Sequence, residues 1–219
     1  MTARRCETTA WHAIYPMKLL IATGNRHKLQ EISAILKVPH LQLLGLADIA
    51  GAPGVEEDGD TFEFNAVKKA SILARFAGCW TLADDSGLEV QALDGAPGVW
   101  SARFAGLPGN DAANNAKLLA AMQGVANRRA QFRCVIALSD PSGTSRTVTG
   151  ACPGALLGAP RGHAGFGYDP LFVPDGYDLT FAELDAATKN RISHRAIALA
   201  TALAEWGDFL AGEPAAWGG

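Results

Sequence analysis

Two adjacent carboxylates, Asp84 and Asp85, close an apolar run in "LADDSGLEV" (82–90). Like charges repel, and burial penalises both. Acids at the end of a strand are placed to hold a metal ion or to serve as a general base. Side chains alternate along a strand, so only one of the two needs to face a cleft. A polar turn in which aspartate caps backbone N–H groups accounts for the same pair.

Four further stretches carry chemistry. In "ATGNRHK" (22–28) a strand gives way to a glycine turn and then a helix, and the first turn of a helix presents N–H groups and partial positive charge suited to phosphate. Thr23, Gly24, Asn25, Arg26, His27 and Lys28 make up this candidate loop, although a capped turn reads the same way and G-x-x-x-x-G-K-[ST] is absent. Glu56, Glu57 and Asp58 form an acidic loop, either solvated or able to bind a cation. "GFGYDPLF" (165–172) sets Phe166 and Tyr168 among glycines beside Asp169, where an aromatic ring could stack on a base or simply pack on the core. "SHRA" (193–196) puts His194 and Arg195 in the first turn of a helix, against its dipole, with Lys189 four residues before Ser193. A cation placed at such a cost needs a compensating partner; a solvated surface turn is the alternative. Together these are the parts of a nucleotide site: an anion cradle, acids for Mg²⁺, an aromatic platform and a basic clamp.

The elements that must position these residues follow from pattern. Strands are expected at 18–22, 41–46 and 80–84, and helices over 27–36, from Thr61 to about Phe76, and from Asn110 or Asp111 to Met122. "AQFRCVIALSD" and "TSRTVTGACPGALL" flank "PSG" as an antiparallel hairpin. Residues 47–60 and 94–110 read as loop, 164–174 as a loop entering a strand, and Ser193 as the cap of a last helix. The order mixes β–α–β units with a hairpin, which predicts an α/β fold with a mixed sheet. The chain has 219 residues, 48% hydrophobic, enough for one domain of two lobes or for two small domains. A net charge of −3 without a basic block argues against a nucleic-acid partner. No apolar stretch approaches the roughly 20 residues that span a membrane. Cys6, Cys79, Cys134 and Cys152 lack CxxC or zinc-ligand spacing and read as reduced thiols of a cytoplasmic protein. Residues 1–16 read as an N-terminal extension expected to be disordered, 17–212 as the domain and 213–219 as a tail.

These stretches, in this order, resemble the inosine triphosphate pyrophosphatase family. The likeness rests on "LIATGNRHKLQEI", "EEDGDTFEFNAVKKA", "ADDSGLEVQALDGAPGVWSARFAG", "GFGYDPLF" and "KNRISHRAIAL", and runs from about Met17 to about Leu210. The resemblance implies Mg²⁺-dependent hydrolysis of ITP, dITP and XTP to the monophosphate and pyrophosphate. It also implies a long bent sheet with flanking helices, two lobes around a central cleft, and a homodimer. It makes Thr23 to Lys28 the phosphate loop and Asp85 the general base and a metal ligand. Glu57 becomes a second metal ligand, Ser86 a substrate contact and Lys69 a lysine near the phosphates. Phe166, Gly167, Tyr168, Asp169, Lys189, His194 and Arg195 become the base-recognition set. Phe64 stands where the family commonly has a polar residue and Trp100 where it commonly has tyrosine; both read as packing changes.

Overall fold

A computed structural model describes residues 16–212. The tail and the N-terminal extension expected from the sequence, apart from Pro16, lie outside these residues. The strands are β1 (Met17–Ile21), β2 (Leu41–Gly45), β3 (Trp80–Val90), β4 (Arg129–Ser139), β5 (Ser145–Leu156) and β6 (Phe172–Pro174). The helices are α1 (Arg26–Ile35), α2 (Phe62–Ala77), α3 (Asp111–Ala121), α4 (Ala186–Ile192) and α5 (His194–Leu210). One six-stranded sheet runs in the order β2-β1-β3-β4-β5-β6. β1 lies parallel to β2 and β3, and the other pairings are antiparallel. The mixed α/β expectation therefore holds.

β3, β4 and β5 are long, and each serves more than one hydrophobic cluster. Near the β1 end, Leu82, Ile136 and Val148 pack under α1 and α5 with Leu19, Ile32, Leu199 and Trp206. On the opposite face Ala83, Val135 and Ala137 pack against Phe62, Ala66, Ala70 and Leu73 of α2. At the far end Leu88, Phe132, Cys152 and Leu156 join Leu118 of α3 with Phe172 and Phe181. The polar stretch 84–87 of β3 falls between these cores.

β3 corrects the strand expected to end at Asp84. It continues to Val90 and pairs with β4 from Thr81↔Ser139 to Val90↔Ala130. Two acids, a serine and a glycine interrupt its apolar run, so the sequence reads as two pieces; the ladder and the cations described below carry it through. α4 was not expected either. Its seven residues are capped by Asp185, whose side chain accepts from Thr188 N–H. Residues 98–103, read as loop, form a 3₁₀ turn. Phe64 and Trp100 are 55% and 51% exposed, so neither is a core packing change. Among the described residues the cysteines are free, and no helix is long and apolar enough to cross a membrane.

Candidate active site

The acid pair is built by strand alternation. Successive β3 side chains leave opposite faces of the sheet, so Asp84 turns toward α1 and α5 and Asp85 toward α2. Asp84 is buried and meets Lys28 Nζ at 3.0 Å, while Arg195 Nε and Nη2 donate to its Oδ2 at 3.2 and 3.1 Å. Burial alone would raise its carboxyl, but Lys28 and Arg195 hold it well below the usual carboxylate range. Among the described residues its Oδ1 has no hydrogen-bond partner.

Asp85 meets a different set. Asn65 Nδ2 donates to its Oδ2 at 3.0 Å, the Ser86 N–H donates to Oδ1 at 3.0 Å, and Lys69 Nζ stands 4.0 Å from Oδ1. Asn65 and Lys69 are four residues apart on α2 and so share its buried face. Lys69 Nζ also donates to Glu57 and, at 2.6 Å, to the Asp84 carbonyl. Burial pushes the Asp85 carboxyl up to about 6, with the Glu57 charge adding to the rise against Lys69. Arg103 Nη2 donates to the Glu57 carbonyl at 2.5 Å and its guanidinium lies over Trp100, 4.4 Å from the ring centre.

The basic clamp is made at a corner. Ser193 ends α4, its N–H donating to Lys189 O, and caps α5, its Oγ accepting from Ala196 N–H at 3.2 Å. Lys189, His194 and Arg195 are thereby brought together from two helices. Arg195 is buried and donates to Asp84, to Glu31 and, at 2.9 Å, to Ser86 Oγ. Lys189 Nζ lies 2.8 Å from Glu31 and 2.6 Å from Asp169. The cost of cations at a helix N-terminus is thus offset by buried carboxylates. His194 stacks on Phe132 with ring centres 4.8 Å apart, and burial with the Arg195 and Lys189 charges keeps its imidazole well below its usual pKa. Its Nδ1 is buried and, among the described residues, has no hydrogen-bond partner.

One cleft of about 120 Å³ unites these groups. Asn25, Lys28, Glu57, Asp85 and Ser86 line it, as do Phe166, Gly167, Tyr168, Asp169, Lys189, His194 and Arg195. Thr23, Gly24, Arg26, His27 and Lys69 stand outside its lining. Asn25 spends its side chain capping α1, accepting from the His27 and Lys28 N–H groups at 2.9 and 3.2 Å. These two donors are therefore already partnered, and Lys28 is the cation that α1 offers to the cleft. His27 stacks on Phe166, centres 5.2 Å apart at 12°. Lys69 lies just beneath the acids.

Sequence reasoning missed Glu31 and Asn65, both of which face this network. Glu31 sits three residues after Lys28 and Asn65 four before Lys69, so helical spacing from an already chosen lysine was the available signal. Among the described residues no group of three or more His, Cys, Asp and Glu side chains converges as a metal cage. The donor set does fit Mg²⁺, which takes one or two protein carboxylates, phosphate oxygens and waters. Glu57 and Asp85 line one cleft, and the raised Asp85 carboxyl is that of an acid short of positive charge.

With this geometry in place, comparison with known proteins places the chain. A family model described as "Ham1 family" matches residues 19–206. A dITP/XTP pyrophosphatase from Desulforamulus reducens is 53% identical over 189 residues, covering 85% of this chain and 94% of that protein. One from Geobacter sulfurreducens is 52% identical over 185 residues, covering 84% and 93%. The structure of the Staphylococcus aureus Ham1 protein superposes with a TM-score of 0.79 at 38% identity, covering 87% of this chain and 98% of that one. The family model spans every cleft residue named above, and the chain belongs to the Ham1 family.

Proposed function

We propose that this protein hydrolyses non-canonical purine nucleoside triphosphates, dITP/ITP and XTP/dXTP, to the monophosphate and pyrophosphate, and so cleanses the nucleotide pool. The observation that carries the reading is that one cleft gathers both kinds of group. Asp85, Glu57 and Lys28 line it together with Phe166, Lys189, His194 and Arg195. The naming of its relatives as dITP/XTP pyrophosphatases supports it.

In this reading Asp85 orients a water for attack on the α-phosphorus and accepts its proton. Its environment suits a base working near neutral pH, since burial and Glu57 raise the carboxyl toward the operating range. Glu57 and Asp85 would hold Mg²⁺, which supplies charge neutralisation on the phosphate oxygens. Lys28 has three ammonium hydrogens, so it can keep Asp84 and still reach a phosphate oxygen. Lys69 fixes Glu57 and adds its charge from below. The purine lies on the Phe166 side. A 6-oxo group there accepts hydrogen bonds from Arg195, whereas the 6-amino group of adenine meets a donor with a donor. A buried unmatched donor costs about 1–3 kcal/mol. Asp84 and Glu31 keep the guanidinium from turning to suit the wrong base.

We further propose a homodimer acting in the cytoplasm, without membrane or nucleic-acid partners. Sedimentation at micromolar concentration checks the dimer: a single species of about twice the chain mass is expected. Pyrophosphate release from ITP, XTP, dATP, dGTP and dTTP, with and without Mg²⁺, tests the activity. Fast release from ITP and XTP only with Mg²⁺ is expected. Release from dTTP alone would make it a pyrimidine enzyme, and none from any a nucleotide sensor. Asp85→Asn should lose nearly all release and still bind ITP; near-normal turnover would remove Asp85 from its role.

A further inference from the structure

α3 supplies none of the residues assigned above, yet four of its polar side chains end on the two segments that border the cleft. Asn114 is buried and uses both ends of its amide, accepting from Ala105 N–H at 2.7 Å and donating to Ala102 O at 3.1 Å. Lys117 Nζ donates to Phe104 O at 2.5 Å. On the adjoining face Asp111 Oδ2 accepts from Gly167 N–H at 2.7 Å, and Asn115 Nδ2 donates to Gly167 O at 2.9 Å. Asp111 and Asn115 are four residues apart, so one helix face presents an acceptor and a donor to the same glycine.

Gly167 separates Phe166 from Tyr168 and Asp169. Its φ of +61° lies in the left-handed region, and a glycine there has the widest backbone freedom of any residue. A loop that turns on such a residue keeps its shape only if something holds it. Inside the loop, the Phe166 N–H donates to Asp169 Oδ2 at 2.9 Å. Tyr168 OH donates to Ser101 O at 2.9 Å. From outside, α3 holds both backbone polar groups of the glycine itself.

We propose that Asp111 and Asn115 are positioning residues for nucleobase recognition, holding Gly167 so that the Phe166 ring and the Asp169 carboxylate stand preset on the base side of the cleft. This rests on the reading that a purine binds beside Phe166. The phosphate side, with Asp85, Glu57 and Lys28, is held by α1 and α2 and makes no use of this latch. Loss of the latch therefore weakens binding and base discrimination before it touches the chemical step.

The experiment measures ITP and dGTP hydrolysis by Asp111→Ala, Asp111→Asn and Asn115→Ala. It also follows hydrogen exchange of segment 164–170 in the ligand-free protein. Each alanine variant should raise the KM for ITP roughly fivefold, the size of one net hydrogen bond, with kcat kept within about twofold. The preference for ITP over dGTP should narrow. Exchange in 164–170 should quicken in both alanine variants. Asp111→Asn keeps an oxygen acceptor for Gly167 N–H and should behave as the parent. Asp111 also lines the cleft, and an Asn variant as impaired as the Ala variant would give its charge a direct role on substrate and overturn the latch. Unchanged KM in both alanine variants would overturn it too. Asn115→Ala carries the test alone should Asp111→Ala not fold. Exchange needs no substrate, so inactivity of the parent enzyme toward ITP would defeat the functional reading while the exchange data still judged the latch.

Discussion

Asp84 and Asp85 share a sequence neighbourhood and little else. Asp84 is an anchor: cations hold it charged, and it in turn holds Arg195 and Lys28. Asp85 is buried with less compensation, and its carboxyl sits at about 6 against an ordinary 3.8. The sign follows directly. Folding favours the protonated acid, so this group's stability contribution is full below pH 3.8 and is lost as pH rises through about 6. At pH 7.5 ionised Asp85 costs the metal-free fold roughly 2–3 kcal/mol. Asp85→Asn is therefore expected to be more stable than the parent in urea at pH 7.5, and the gap should shrink at pH 5. Equal gaps at the two pH values would show that the residue is not strained by its charge. Asp84→Asn should do the opposite, because it strips a charge partner from buried Arg195 and half-buried Lys28. A loss of roughly 3–5 kcal/mol is expected, read in the same titration.

At the scale of elements, the site depends on how closely α5 approaches the sheet. Gly150 of β5 makes room for it: a Cβ there would lie 2.3 Å from both Ala198 N and His194 O. Those are backbone atoms and cannot swing aside. Gly150→Ala must move the first turns of α5, which carry His194 and Arg195. A destabilisation of roughly 1–3 kcal/mol is expected, with a raised KM for ITP, checked by thermal melting beside steady-state kinetics. The Ser193 corner works in the same way, since one residue ends α4 and begins α5. The cap was legible in the sequence from its position before "HRAIALA", but α4 was not, because a seven-residue helix holds too few turns to display a period. β3 failed for a related reason. Its central polar residues break the alternation from which a strand is read.

At the scale of the whole molecule, β3, β4 and β5 run through both ends of the sheet, and the active cleft lies where the cores meet. None of the three clusters can lose these strands without exposing another, so unfolding should be one transition. Tryptophan fluorescence and far-UV circular dichroism should give coincident curves; separated curves would mean that the ends melt independently. A ligand that fills the cleft should stabilise the whole fold. A non-hydrolysable ITP analogue with Mg²⁺ at about 100 times its Kd should add about 2.7 kcal/mol. EDTA should remove most of that gain.

The residue types of the cleft, their order and the parity that sends Asp84 and Asp85 to opposite faces were all present in the chain read alone, because alternation and capping are local properties. Which charge meets which was not. Arg195 stands 111 positions from Asp84, and Lys189 stands 158 from Glu31. Such pairs form only when α1, α4 and α5 close over one face of the sheet. The same holds for Asn65 beneath Asp85 and for the grip of α3 on Gly167: each side chain is unremarked in its own helix, and its role comes from the backbone that folding lays beside it.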